Sequence, residues 1–325
     1  MTSETNQRVL GDRKVSALGF GCWAVGGPFF DTAGQPLGWG EVDDDESIAA
    51  IRRAMELGVT FFDTADVYGT GRSERVLGRA VAGHRDDVVI ASKWGNVFDE
   101  DKRTLTGTDH TVEYLNVAIR ATLDRLGTDH LDLYQLHSAP EIPDALALAD
   151  ACEDLIAQGL IRGYAWSTDD PSHAAAFAGR PGCVAVQHEA SVLHDAPEIF
   201  ALCEAHGLAS VNRTPLAMGL LGRRDHTRPA TGADIRTAAP EWLRYFENGV
   251  PTREWAAKVA ALREILTSEG RTLAQGALGW LWARSERTIP IPGFRNVAQA
   301  QENAGALTHG PLRPEQLTEI AGLLR

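Results

Sequence analysis

Short apolar runs recur along the chain, separated by longer stretches in which apolar residues return every three or four positions. The runs fall at residues 17–21, 60–63, 88–92, 131–136, 161–166, 184–187, 209–212 and 288–291. Apolar runs this short read as strands. The periodic stretches at 47–57, 73–82, 112–126, 143–158, 171–178, 196–206, 272–284 and 297–306 read as amphipathic helices. Strands that alternate with helices pair in parallel, and eight such units imply closure. The predicted fold is therefore α/β, a (β/α)8 TIM barrel forming one domain over residues 1–325.

Three pieces stand outside the repeat. Residues 8–15 carry Gly11-Asp12-Arg13 between apolar ends, which predicts a small hairpin able to plug one end of the barrel. Extra helices are expected at 252–268 and at the C-terminal end, 314–324, while 222–249 has mixed polarity and is a candidate active-site loop. Local signals place the boundaries. Gly58 is expected as a left-handed stop for the first helix, and Ser73 as the cap of the second. The acidic run Asp43-Asp44-Asp45-Glu46 is read as a capping box, Asp43 with Glu46, at the positive end of a helix rather than as a metal site.

A chain of 325 residues with 44% hydrophobic content can bury a core of barrel size. Its net charge of -13, without a Lys/Arg cluster, speaks against nucleic acid or an acidic membrane surface as partner, and any anionic ligand must meet local positive groups. No apolar run approaches the ~20 residues that span a bilayer, and the polar start Met1-Thr2-Ser3-Glu4-Thr5-Asn6 lacks the apolar segment of a signal peptide. The expectation is a cytoplasmic protein acting on a small molecule. Cys22, Cys152, Cys183 and Cys203 are scattered and read as free, mostly buried thiols.

Two motifs are set aside on context. Gly19-Phe20-Gly21-Cys22-Trp23-Ala24 matches G-x-G-x-x-A after a strand, with Glu41 some way downstream, but the Rossmann fingerprint needs a helix opening on its glycines. Val25-Gly26-Gly27-Pro28 cannot start one. His188-Glu189 and His194-Asp195 lack the i, i+4 histidine pair of a zinc helix and are read as loop polarity, so no metal is expected.

The chemistry gathers at strand ends. Asp63 closes the second run, Lys93 follows the third and His137 the fourth, while Tyr68 lies in the loop between Asp63 and the next helix. In a parallel barrel these ends share the rim on which such folds carry their chemistry. There Lys93 would lower the Tyr68 pKa from about 10, and Asp63 would hold the ammonium. His137 would orient and polarise a carbonyl oxygen while Tyr68 delivers a proton.

At these residues, and over nearly its whole length, the chain resembles the aldo-keto reductase superfamily, whose Asp, Tyr, Lys and His tetrad falls on Asp63, Tyr68, Lys93 and His137. Further segments match in order. Ala165-Trp166-Ser167-Thr168 is similar to the family's G-V-S-N and Val186-Gln187-His188-Glu189 to its Q-x-E, which implies carboxamide contacts from Ser167 and Gln187. Arg213-Thr214-Pro215-Leu216-Ala217-Met218-Gly219-Leu220 resembles the segment under the nicotinamide and pyrophosphate. Ile291-Pro292-Gly293-Phe294-Arg295, with Gln299, Glu302 and Asn303, resembles the adenosine-phosphate segment. The implied cofactor contacts are thus Trp23, Ser167, Gln187, Arg213, Pro215, Leu216, Gly219, Gly293, Arg295, Gln299 and Asn303, with Trp23, Trp94 and the loop around Phe29-Phe30 walling the pocket.

The resemblance implies NADP(H)-dependent reduction of an aldehyde or ketone, a sugar-derived carbonyl included, with NAD(H) the alternative cofactor. Several positions depart from the pattern. Thr168 stands in place of asparagine, Arg213 in place of tyrosine and Ser138 in place of the tryptophan of many animal members; Gly293 and Gln299 replace a lysine and an arginine of NADP-dependent relatives. Arg295 is the cation expected to meet the 2′-phosphate, through the paired donors of its guanidinium. Two other classes stay open at this stage: a Schiff-base aldolase using Lys93, and a non-catalytic, cofactor-binding regulatory subunit like those of potassium channels. Physiological substrate, reaction direction and oligomeric state are not legible in the residues.

Overall fold

The structure, a computed structural model, describes residues 6–222, 230, 232–238, 240 and 242–324. Its centre is an 8-stranded sheet. The strands are Gly19–Gly21, Phe61–Asp63, Val89–Trp94, Leu133–Leu136, Tyr164–Ser167, Cys183–Glu189, Ala209–Arg213 and Thr288–Pro290, each parallel to the next. A parallel bridge between Gly21 and Gly293, with Gly21 N–H donating to the Pro292 carbonyl at 3.1 Å, brings the last strand back to the first. The barrel is closed, as the alternation implied. Closure also explains the glycines that imitate a dinucleotide fingerprint. A Cβ on Gly21 would lie 2.8 Å from the Ile291 carbonyl oxygen, and one on Gly19 would sit 2.4 Å from the Phe61 ring.

Because side chains alternate along a strand, each run feeds two cores. Phe61, Ala91, Leu133, Ala165, Ala185 and Val211 fill the barrel interior, whereas Phe62, Ile90, Tyr134, Trp166 and Val186 face the helices. The expected hairpin forms between Gln7–Leu10 and Arg13–Ser16, with Gly11 in the left-handed region at φ 60°. Its Leu10 and Val15 join the interior cluster and stop one end of the barrel. The chemistry is left to the other end.

The extra helices are present as Arg253–Leu266 and Pro314–Leu323. Within 222–249, residues 223–229, 231, 239 and 241 lie outside the described residues. The described remainder contains the short helix Ile235–Ala238 and the first strand of a ribbon, Phe246–Glu247 with Val250–Pro251. Ile235 N–H donates to the Gly38 carbonyl at 2.7 Å, and Asp234 bridges to Trp39, so this segment reaches the loop that follows the first strand.

Local boundaries hold in part. Gly58 takes φ 90° after the first helix, as expected. Asp43 accepts from Glu46 N–H at 3.0 Å, but the capping box is not reciprocal: the Glu46 carboxylate instead accepts from Val297 N–H at 3.1 Å, on the helix after the eighth strand. Ser73 is not a cap either. The second helix, Arg72–Val81, starts on left-handed Gly71, and the buried Ser73 hydroxyl donates to the Cys22 carbonyl at 2.8 Å. A hairpin absent from the sequence reading, Asn96–Asp99 with Thr104–Thr108, rises from the end of the third strand. Its Thr104, Thr106 and Thr108 alternate too weakly with apolar residues to announce a strand.

Candidate active site

The interior positions of successive strands change from apolar to polar at one level. Phe61 is followed two residues later by Asp63, Ala91 by Lys93, Leu133 by Gln135, Ala165 by Ser167, Ala185 by Gln187 and Val211 by Arg213. Period-2 geometry keeps each pair on one face, so the polar members form the layer above the interior core. Lys93 is the hub. Its Nζ donates to Asp63 Oδ1 at 2.5 Å, to the Thr64 carbonyl at 2.7 Å and to the Tyr68 hydroxyl at 3.4 Å. The other oxygen of Asp63 accepts from Gln135 Nε2 at 2.8 Å and Gln187 Nε2 at 2.7 Å. Both Lys93 and Asp63 are buried, 0% and 2% exposed, so the pair is well shielded from water.

Tyr68 is brought in by its loop. Gly69 sits at φ 60°, and a Cβ there would come within 1.9 Å of the Gly26 carbonyl oxygen, so a side chain at 69 would push the loop off its seat. The Tyr68 ring stacks on Trp23, with centroids 5.8 Å apart and planes 21° apart, and meets the His137 ring edge-on at 5.8 Å. His137 follows the fourth strand and extends its ladder, donating its N–H to the Trp94 carbonyl at 2.8 Å. The four tetrad residues do converge.

Burial and charge compete at each group. Burial pushes the Tyr68 phenol above its ordinary value of 10, and Lys93 offsets only part of that rise. The expected lowering by Lys93 is thus not the net result, because the ammonium lies 3.4 Å from the hydroxyl and is largely balanced by Asp63 at 2.5 Å. For Lys93, burial favours the neutral amine, but Asp63 and Tyr68 outweigh it and the pKa ends above 10.5. Burial, reinforced by Lys93 and Arg213, holds His137 well below the usual imidazole range.

A cavity of about 1240 Å³ opens beside this cluster. Asp63, Tyr68 and His137 line it together with Trp23, Ser167, Gln187, Arg213, Pro215, Leu216, Gly219, Gly293, Arg295, Gln299 and Asn303. Lys93 stays behind them. Apolar and aromatic walls come from Phe29, Leu37, Trp39, Val67, Leu105 and Trp242. Trp94 is not among them: one residue past Lys93, it points to the opposite face and packs on Tyr134 at 6.1 Å. Phe30 bridges to Pro36 and Thr104 instead of lining the cavity, which leaves Phe29 as the wall.

Several cavity residues carry partners that the sequence could not show. The Gln187 amide nitrogen is committed to Asp63 and to Gln135 Oε1, so only its carbonyl oxygen is left for a carboxamide. Arg213 pairs with Asp169, and Arg244 with Glu189, whose other oxygen accepts from the Tyr245 hydroxyl at 2.7 Å. Thr168 turns back, its hydroxyl accepting from Asp170 N–H at 3.1 Å. His188 is a strand residue rather than loop polarity, hydrogen-bonded through Nε2 to Ser210 Oγ at 2.7 Å. Gln135 was within reach of the sequence, by the same two-residue step that gives Lys93. Asp169, Trp39, Trp242 and the buried Asp234–Arg236 pair, joined at 2.6 Å, lie outside the strands, where no such two-residue step applies.

The sequence profile of the Aldo/keto reductase family matches residues 17–325. The chain belongs to that family. This aldo-keto reductase is 32% identical over 333 residues to the chloroplastic pyridoxal reductase of Arabidopsis thaliana, covering 95% of this chain and 83% of that one. Among solved structures it resembles the aldo-keto reductase AKR11C1 from Bacillus halodurans in its holo form, with a TM-score of 0.78 and 29% identity over 98% of this chain and 96% of that one. It also resembles an aldo-keto reductase from Klebsiella pneumoniae in complex with NADP and acetate, at TM-score 0.69 and 25% identity over 98% and 95% of the two chains. No described helix is long and apolar enough to cross a membrane.

Proposed function

We propose that this aldo-keto reductase reduces an aldehyde or ketone to an alcohol with NADPH, Tyr68 being the proton donor. The observation that carries the reading is the Lys93 hub, with Asp63 at 2.5 Å and the Tyr68 hydroxyl at 3.4 Å, opening through Tyr68 and His137 onto a cavity of about 1240 Å³. That volume exceeds the ~300–1,000 Å³ of an ordinary small-ligand pocket, leaving room for a dinucleotide and a substrate together. A buried Thr214 hydroxyl without a partner, on the loop after the seventh strand, fits a polar ligand there. The NADP-bound relative supports the choice of cofactor.

When bound, NADPH supplies the hydride. Of the residues that line the cavity, Ser167, the Gln187 carbonyl oxygen and Arg213 would hold its nicotinamide end, Pro215, Leu216 and Gly219 its middle, and Gly293, Arg295, Gln299 and Asn303 its adenosine end. His137 is neutral in this setting. Its Nδ1 is buried without a hydrogen bond, so a proton on Nε2 avoids burying an unpaired donor and gives the carbonyl oxygen an N–H to accept. Tyr68, protonated and aimed at the same space, passes its proton to that oxygen, and Lys93 stabilises the phenolate left behind. Trp23 holds the phenol by stacking.

A Schiff base on Lys93 fits less well. The amine is absent from the cavity wall and held as an ammonium by Asp63, so it is neither reachable nor nucleophilic.

Two expected results test the reading. NADPH consumption screened over small aldehydes, ketoses and cyclic ketones should reveal turnover; its absence across the panel, with tight cofactor binding, would favour a regulatory role. In pH profiles, reduction needs the protonated phenol, whose pKa lies above 10, so kcat/KM should stay level through neutral pH and fall only in strong alkali. Alcohol oxidation needs the phenolate and should climb with pH. With His137 held neutral, no limb is expected near pH 6–7, and a reduction limb there would contradict these assignments.

Cofactor preference is tested at Arg295, whose Nη2 donates to the Glu41 carbonyl at 2.6 Å, leaving other guanidinium donors for a 2′-phosphate. Arg295→Ala should cost about tenfold in kcat/KM for NADPH and little for NADH. Equal loss of both, or of neither, would move the phosphate site elsewhere.

A further inference from the structure

Beyond Arg295 and Gln299 the large cavity adjoins a smaller one of about 470 Å³, sharing Glu41, Arg295 and Gln299 with it. Its other walls include Asp43, Glu46 and Asn296. Among the described residues that line it, Arg295 is the only cation, against the three acidic residues Glu41, Asp43 and Glu46. The cavity opens at the start of the helix Val297–Gly305, where free backbone N–H groups ordinarily receive an anion. Here the protein's own oxygens already meet them. Gln299 N–H donates to the Asn296 side chain at 2.9 Å, and Arg295 N–H to Gln299 Oε1 at 2.7 Å. Val297 N–H donates to the carboxylate of Glu46, at 3.1 Å, which arrives from the first turn of the helix Asp44–Glu56. A negative charge from a distant element thus stands at the helix start, in a cavity that Arg295 also lines.

The geometry points to Glu46 as a specificity-determining residue: its carboxylate stands in for the 2′-phosphate and weakens the preference for NADP(H) over NAD(H). The inference rests on the reading of Arg295 given above. A 2′-phosphate entering beside Arg295 competes with Glu46 for Val297 N–H and meets its charge at close range. The two hydroxyls of the NADH adenosine ribose carry no charge to be repelled. Glu46 therefore acts on the difference between the cofactors rather than on the reaction.

The test is Glu46→Gln, which keeps an oxygen acceptor for Val297 N–H and removes only the charge. The expected result is an increase of about fivefold in the NADPH:NADH ratio of kcat/KM, with a matching increase in the ratio of affinities measured by fluorescence titration, the order expected for one charge beside a phosphate in a solvated cleft. The gain should shrink between ~0.01 M and ~0.5 M salt, because it is a charge effect; a structural role would not show that dependence. If Arg295→Ala weakens NADPH selectively while Glu46→Gln leaves the ratio unchanged or lowers it, the assignment of Glu46 is overturned and the site at Arg295 stands. If Arg295→Ala has no selective effect, the site reading itself fails.

Discussion

Tyr68→Phe should lower kcat for carbonyl reduction by about 10²-fold or more, the usual cost of removing a positioned general acid. The substitution removes one oxygen and little else. Phenylalanine keeps the ring that stacks on Trp23 and meets His137 edge-on, and the lost hydrogen bond to Lys93 is long at 3.4 Å. Cofactor affinity and thermal stability should therefore stay near those of the parent, so that the loss appears in kcat. Single-turnover reduction at saturating NADPH, with cofactor affinity titrated separately, checks this. Near-normal turnover with an unchanged pH profile would exclude Tyr68 as donor.

Lys93→Met should impair both turnover and stability, for separable reasons. Turnover falls because the phenolate left by proton transfer loses its neighbouring positive charge, while burial goes on pushing the Tyr68 pKa up. Stability falls because Asp63, 2% exposed, is left as a buried carboxylate without its cation. Breaking one side of such a pair costs about 3–5 kcal/mol, and the two glutamine donors on Asp63 place this case toward the lower end. Adding Asp63→Asn removes the orphaned charge. The double variant should recover much of the melting temperature yet none of the activity. Recovery of turnover in the double variant, or a single variant that keeps most of its rate, would show that the Lys93 charge is not needed for the chemistry.

The site also shows why neighbouring residues are present. Gln135 and Gln187 hold the second oxygen of Asp63, leaving the first for Lys93. Arg213 pairs with Asp169 and approaches Glu189, which pairs with Arg244, so this wall of the cavity is a run of alternating charges. The positive charge of Arg213 also helps keep His137 neutral.

What the chain by itself determined is whatever depends on period and order. Apolar runs separated by helical stretches specify parallel strands, and eight of them specify closure, because each step involves residues near one another in sequence. The polar layer follows from the same rule: once Phe61, Ala91 and Leu133 are interior, Asp63, Lys93 and Gln135 are interior one step higher. Gly19 and Gly21 were visible as well, but their role in bringing the last strand against the first required the position of Ile291. The tertiary structure alone decided what depends on distances between remote segments. It set the sign of the Tyr68 shift, a contest between burial and an ammonium 3.4 Å away that is itself balanced by Asp63. It sent Glu46 to Val297 rather than back to its own helix start, and it made Trp39 and Trp242 walls of the cavity where Trp94 was expected. Burial and partner choice are properties of the assembled chain, and no local pattern carries them, since the competing contacts come from segments remote in sequence that only the assembled barrel brings together.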